Sequence, residues 1–168
     1  QETVFTVTMT TTTDDDYTVF LDVPRTVTVI TDDNDIAEWG MSATAFHVDE
    51  DGGEAKFNVY LDSEPSGPVT FTVSPPAGDT WATVVGGDLS PVQVTIDETN
   101  WNEKDLIGGN TVTVAGTEND VIGGTQETTF TVTMTTTTDD DYDDFLDVPR
   151  EVKVTTIDND TAGYALSA

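Results

Sequence analysis

The chain has 168 residues, with 33 Asp and Glu against 5 Lys and Arg, no Cys, and a formal net charge of −28. That length suits about one domain with a core of its own. The charge excludes nucleic acid and direct contact with anionic membrane, because both need cationic side chains. No apolar run approaches the roughly 20 residues that would cross a bilayer, and a chain without Cys fits an extracellular protein that does not rely on thiols.

Taken in order, the chain opens on "QETVFTVTMTTTTDDDYTVFLDVPR" at 1–25, and a near copy returns at 126–150. Between and within these copies, apolar residues alternate with polar ones. Strands are predicted at 43–48, 54–61, 68–74, 91–96, 110–115, 127–137 and 150–157. In "AKFNVYL" the residues Phe57, Val59 and Leu61 share one face, and Val69, Phe71 and Val73 do so in "VTFTV". Val92, Val94 and Ile96 repeat the pattern, as do Val112 with Val114, Phe130 with Val132 and Met134, and Val152 with Val154. Short period-two runs separated by Gly, Pro, Asp and Asn predict an all-β fold, an Ig-like antiparallel β-sandwich of about seven strands. Thr, which occurs 33 times, suits solvated strand faces because it is β-branched yet polar. No segment carries a helical period.

At an offset of 125, residues 1–35 match 126–160 at 28 of 35 positions. The match runs on into "IAEWGMSA" against "TAGYALSA", with Trp39 opposite Tyr164. Residues 36–160 therefore read as one complete repeat, 1–35 as the end of a preceding repeat and 161–168 as the start of the next. A long fixed period means tandem units, and a chain beginning within a unit reads as a window on a longer protein.

Placing the predicted strands in a sandwich sorts the acids by end. Glu50 and Asp51, Glu118 and Asp120, and Asp158 and Asp160 gather where the last strand exits. The run Asp139, Asp140, Asp141, Asp143 and Asp144 lies at the opposite end, with Asp62, Glu64, Asp97, Glu98, Glu103 and Asp105. Two carboxylates about 5 Å apart repel by roughly 3 kcal/mol at an effective dielectric near 20. Such clusters call for a cation, and hard oxygen donors suit Ca²⁺, which takes about six to eight of them. One His and no Cys argue against Zn²⁺ or copper.

Three stretches carry a resemblance. "FHVDEDGGEAKFNVYLDSEPSGPVTFTV" resembles the first strands of Calx-β domains and related bacterial tandem repeats of surface adhesins. "NWNEKDLIGGNTVTVAGTENDVIGG" is similar to the family's next landmark, and "VKVTTIDND" to its closing strand and acidic triplet. The resemblance spans most of 42–160. It implies a calcium site at the exit end, with ligands at Glu50, Asp120, Asp158 and Asp160, and with Glu118 beside them. In the triplet, Asn159 stands where an acid is expected.

The layout adds a junction site. Asp33 and Asp35 close the preceding unit, and they are placed to share a cation with Asp139, Asp140 or Asp141 across the boundary. No Ser-His-Asp, Cys-His or phosphate-loop arrangement is present, so the chain is not expected to be an enzyme. The expected role is a structural, calcium-stiffened spacer repeat of a long extracellular surface protein, an adhesin or fibre, whose partners are its neighbouring repeats. Two rivals remain: a carbohydrate- or protein-binding module built on the 75–90 loop around Trp81, and a filament subunit that associates with other copies of itself.

Overall fold

Every one of these alternating runs becomes a strand in the computed structural model, which describes residues 2–32, 34–87, 90–105 and 108–164. The chain divides into two compact units between Asp35 and Ile36. The smaller unit is a single antiparallel hairpin, β1 (Glu2–Val7) and β2 (Arg25–Ile30). A six-residue 3₁₀ helix, Asp15–Phe20, lies in its connection.

The larger unit is a β-sandwich. Its strands are β3 (Trp39–Met41), β4 (Ala45–Asp49), β5 (Glu54–Leu61), β6 (Val69–Ser74), β7 (Ala82–Val84), β8 (Val92–Ile96), β9 (Thr111–Gly116), β10 (Gln126–Thr137) and β11 (Arg150–Ile157). One sheet has the order β4-β11-β10-β6-β8 and the other β3-β5-β9-β7. Their inner faces bury Phe57, Phe71 and Phe130 with a surrounding set of Val, Leu and Ile side chains. These are the residues of the period-two runs. The outer faces carry Thr, and Thr70 pairs with Thr95 and Thr72 with Thr135 through their hydroxyls.

Three features depart from the expected plan. β3 and β7 are additional strands of three residues each, too short to show a period of their own. Asp140–Phe145 forms a 3₁₀ helix inside the acidic run, with Asp139 as its N-cap. The pair β4–β11 is parallel, not antiparallel. The turn after β4 takes the chain to the other sheet, and β4 lies at the edge of its own sheet beside β11.

That edge arrangement positions everything that follows. Asp49 at the end of β4 stands opposite Ile157 at the end of β11. Glu54 at the start of β5 stands opposite Ala115 near the end of β9. The 50–53 turn, the 117–125 connection and the segment after Ile157 therefore meet at one end of the sandwich.

Candidate metal centre

Glu50 sits in the turn between β4 and β5. Gly52 holds φ at +96° there, a conformation that L side chains rarely adopt, and the Gly53 N–H donates to the Asp49 carbonyl at 3.0 Å. A Cβ at Gly116 would strike the Asp49 carbonyl, so that glycine lets the end of β9 approach the turn. The Glu50 side chain is fully buried. Its Oε1 accepts from the Asn159 N–H at 3.0 Å and its Oε2 from Asn119 Nδ2 at 3.2 Å. Both bonds help to keep a carboxylate tolerable away from water.

Asp158 is oriented by backbone donors. Oδ1 accepts from the Asp160 N–H at 2.7 Å, and Oδ2 accepts from Gly123 and Gly124, both at 2.6 Å. The Asp160 bond is the main cause that holds the Asp158 carboxyl below its ordinary range, and the glycine bonds add to it against some desolvation. Glu118 shows the opposite. Desolvation first, then the charges of Glu50, Asp160, Asp51 and Asp120, push its carboxyl above the ordinary range.

Glu50, Asp158 and Asp160 each offer an oxygen within 4.8 Å of the others, and so do Glu118, Asp120 and Asp160. Asp160 belongs to both groups. Its Oδ2 is buried and finds no hydrogen-bond partner among the described residues. The ion pairs found among the described residues are Lys104–Asp62, Arg150–Glu38 and Lys153–Glu127, and none reaches these five acids. The donor set is all oxygen, crowded, uncompensated by a cationic side chain, and left with one buried acceptor lacking a donor. Those properties fit a hard divalent cation, and Ca²⁺ in particular.

Five of the acids singled out from the sequence are thus brought together at the exit end. The opposite end differs. Asp139 is buried, and its carboxylate is engaged within its own unit: Oδ1 accepts from the Asp141 N–H at 3.0 Å and Oδ2 from the Ser66 N–H at 2.7 Å. Asp140 and Asp141 are exposed on the 3₁₀ helix. Asp35 is exposed and belongs to the smaller unit, and Asp33 lies outside the described residues.

Three contributors carry no acidic signal in the sequence. Asn119, Gly123 and Gly124 hold Glu50 and Asp158 through an amide and two backbone N–H groups. Trp81, in the 75–90 loop, accepts through its carbonyl from the Thr117 N–H at 3.0 Å and from Thr156 Oγ1 at 3.2 Å. Its own N–H donates to Asp79 at 2.9 Å. A Cβ at Gly123 would meet the Trp81 ring. The indole is thereby packed beside the loop that holds Asp158.

The sequence matches no protein-family model and no curated protein. Among solved structures it is similar to an apo-form Calx CBD1 domain, with a TM-score of 0.50 and 12% sequence identity, over 75% of this chain and 100% of that one. At that identity the likeness is one of fold: the chain contains an all-β sandwich of the Calx-β kind, with an acidic cluster at one end.

Proposed function

We propose that residues 36–160 form a calcium-binding structural module, one repeat of a long extracellular protein in which such units follow one another as spacers. The observation that carries this reading is the convergence of five carboxylates from three separate connections, with a buried oxygen of Asp160 left without a donor. The fold likeness to a Calx CBD1 domain supports it, as does the sequence resemblance to Calx-β repeats of surface adhesins.

When bound, the cation would supply positive charge that cancels the repulsion among the loops. Glu50 would hold it from the β4–β5 turn, Glu118 and Asp120 from the β9–β10 connection, and Asp158 and Asp160 from the segment leaving β11. The Gly123, Gly124 and Asp160 N–H groups already aim the Asp158 carboxylate, so that ligand is preorganised. Because Asp158 and Asp160 lie where the chain leaves the unit, tying them to two loops of the same unit would fix the direction of exit. That is how a string of such units would become stiff in millimolar extracellular calcium. In this reading the module transmits reach and rigidity and performs no catalysis.

The test is a thermal melt in EDTA followed by calcium titration. The melting midpoint should rise with calcium and saturate at roughly 0.1–1 mM, as extracellular sites do, while matched magnesium moves it little. Asp160→Asn combined with Asp120→Asn should abolish the difference between the two cations. Equal rises with calcium, magnesium and added NaCl would contradict a specific site and leave only charge screening.

A further inference from the structure

In the larger unit the hairpin β10–β11 is covered by the opposite sheet. Phe130, Val132, Met134, Val152 and Val154 are fully buried. Part of that cover is Trp39 of β3. Its indole packs on Phe71, the strand partner of Met134, with ring centroids 4.8 Å apart. It lies under the guanidinium of Arg150, the strand partner of Val132, at 4.1 Å. Arg150 also donates to the Trp39 carbonyl and to Glu38. Residues 38–39 thus act as a plug, an indole with an acid beside it, matched to an arginine at the start of the second hairpin strand.

The hairpin β1–β2 has the same socket with no such cover among the described residues of its own unit. Val7, Met9, Tyr17, Phe20, Val23 and Arg25 line an open cup of about 300 Å³. By the offset of 125 they correspond to Val132, Met134, Tyr142, Phe145, Val148 and Arg150, six identical residues in the same order. Arg25 lies over Phe20, 5.8 Å from its ring centre. Among the described residues, β1 and β2 pair only with each other, whereas β10 also pairs with β6 and β11 with β4. Both the apolar face and the two outer edges therefore await a partner.

We propose that β1–β2 is the completing hairpin of a second β-sandwich body that repeats the sequence of residues 36–125 and precedes residue 1 in the same polypeptide. The indole at the place of Trp39 in that copy fills the cup, and the acid at the place of Glu38 pairs with Arg25. The structure itself displays what covers this hairpin sequence, which singles out this occupant. Stoichiometry excludes exchange between separate chains of this sequence as the cover. Each chain has one body and two hairpins, so any swap leaves one hairpin per chain uncovered. One further body per chain balances them, whereas two chains packing hairpin against hairpin would show as a doubled mass. The inference shares the tandem arrangement with the proposed function and needs no calcium.

The test places residues 36–125 ahead of residue 1 of the full chain. The join reproduces the natural Thr125–Gln126 step, because Gln1 aligns with Gln126. Amide hydrogen exchange is followed in EDTA, so that a failed calcium titration would leave the outcome readable. The amides of β1 and β2 should exchange at least about 100-fold more slowly than in the 168-residue chain. Phe5→Asp with Val27→Asp should remove that slowing and leave β10–β11 unchanged. Unchanged exchange of β1–β2 in the extended chain overturns the proposal. So does finding these amides already protected in the 168-residue chain at twice its mass, since a second chain would then be covering the face.

Discussion

Residues 2–32 and 127–157 present one hairpin in two settings. Locally the two are alike. Asp14 Oδ1 accepts from the Asp16 N–H and Asp139 Oδ1 from the Asp141 N–H, both at 3.0 Å. Asp22 and Asp147 hold φ at 58° and 59°, and their N–H groups donate to Met9 and Met134, both at 2.9 Å. Burial separates their inward faces, though Val23 and Val148 are both exposed. Phe5 is 54% exposed and Phe130 0%; Tyr17 is 52% exposed and Tyr142 1%. The turn, the cap and the left-handed residue follow from sequence within a few residues of themselves, whereas the value of an apolar face depends on a body that strands elsewhere in the chain supply. A two-stranded hairpin alone is marginal in water, so the same sequence serves as core in one place and as an unfinished surface in the other.

Paired substitutions can break that contrast. Phe130→Ala should cost about 3–5 kcal/mol in urea unfolding, as for a fully buried aromatic residue. Phe5→Ala in the same 168-residue chain should stay within about 0.5 kcal/mol. Comparable losses at both positions would mean that β1–β2 is packed in solution.

A smaller difference is expected at the caps. Asp139→Ala leaves the Ser66 and Asp141 N–H groups without their acceptor and should cost about 1–2 kcal/mol. Asp14→Ala loses only an exposed local bond and should cost a few tenths at most, about the level of an exposed surface change. Tyr142→Phe removes the hydroxyl that meets Ser63 at 2.8 Å and should cost about 1 kcal/mol, against no measurable change for Tyr17→Phe. Thermal or urea unfolding of each pair reads these out.

The weakest effect sharpens the exit-end account through pH. Glu118 is shifted up, so the folded chain binds its proton more readily than the unfolded chain. Calcium-free protein should gain stability as pH falls through that raised value, with the gain complete below the ordinary 4.5. Asp158 is shifted down. Its contribution is present above its ordinary 3.8 and is lost as pH falls through the lowered value. The EDTA melting midpoint should therefore pass through a maximum on mild acidification, and Glu118→Gln should flatten its neutral side. An unchanged profile in that variant would mean that Glu118 feels no cluster.

Much of this was legible in the sequence, for reasons that particular residues make plain. Phe57, Val59 and Leu61 announce a half-buried strand because the period of two is itself the geometry of a pleated sheet. Loop order in a sandwich dictates which connections meet, and it sorts Glu50, Asp51, Glu118, Asp120, Asp158 and Asp160 to one end; singling out ligands among them takes the family resemblance. Trp39–Met41 and Ala82–Val84 were missed as strands because three residues hold no period. The run Asp139 to Asp144 reads as an acidic loop, yet Tyr142 turns it into a plug whose hydroxyl reaches Ser63 from 79 residues away. The parallel β4–β11 pair and the N–H donors of Gly123 and Gly124 depend on which distant backbone lies alongside, and no side chain reports that.

The measurement that goes most directly to the calcium site is a calcium titration of the 168-residue chain, followed through backbone amide NMR shifts. The account predicts saturable shifts concentrated at Asn119, Gly123, Gly124, Asn159 and Asp160, the groups that hold or carry the clustered carboxylates, with magnesium producing little change at the same residues. Shifts of equal size spread over every acidic connection, including the Asp140–Phe145 helix, and reproduced by magnesium would contradict it and leave the acids as a solvated surface.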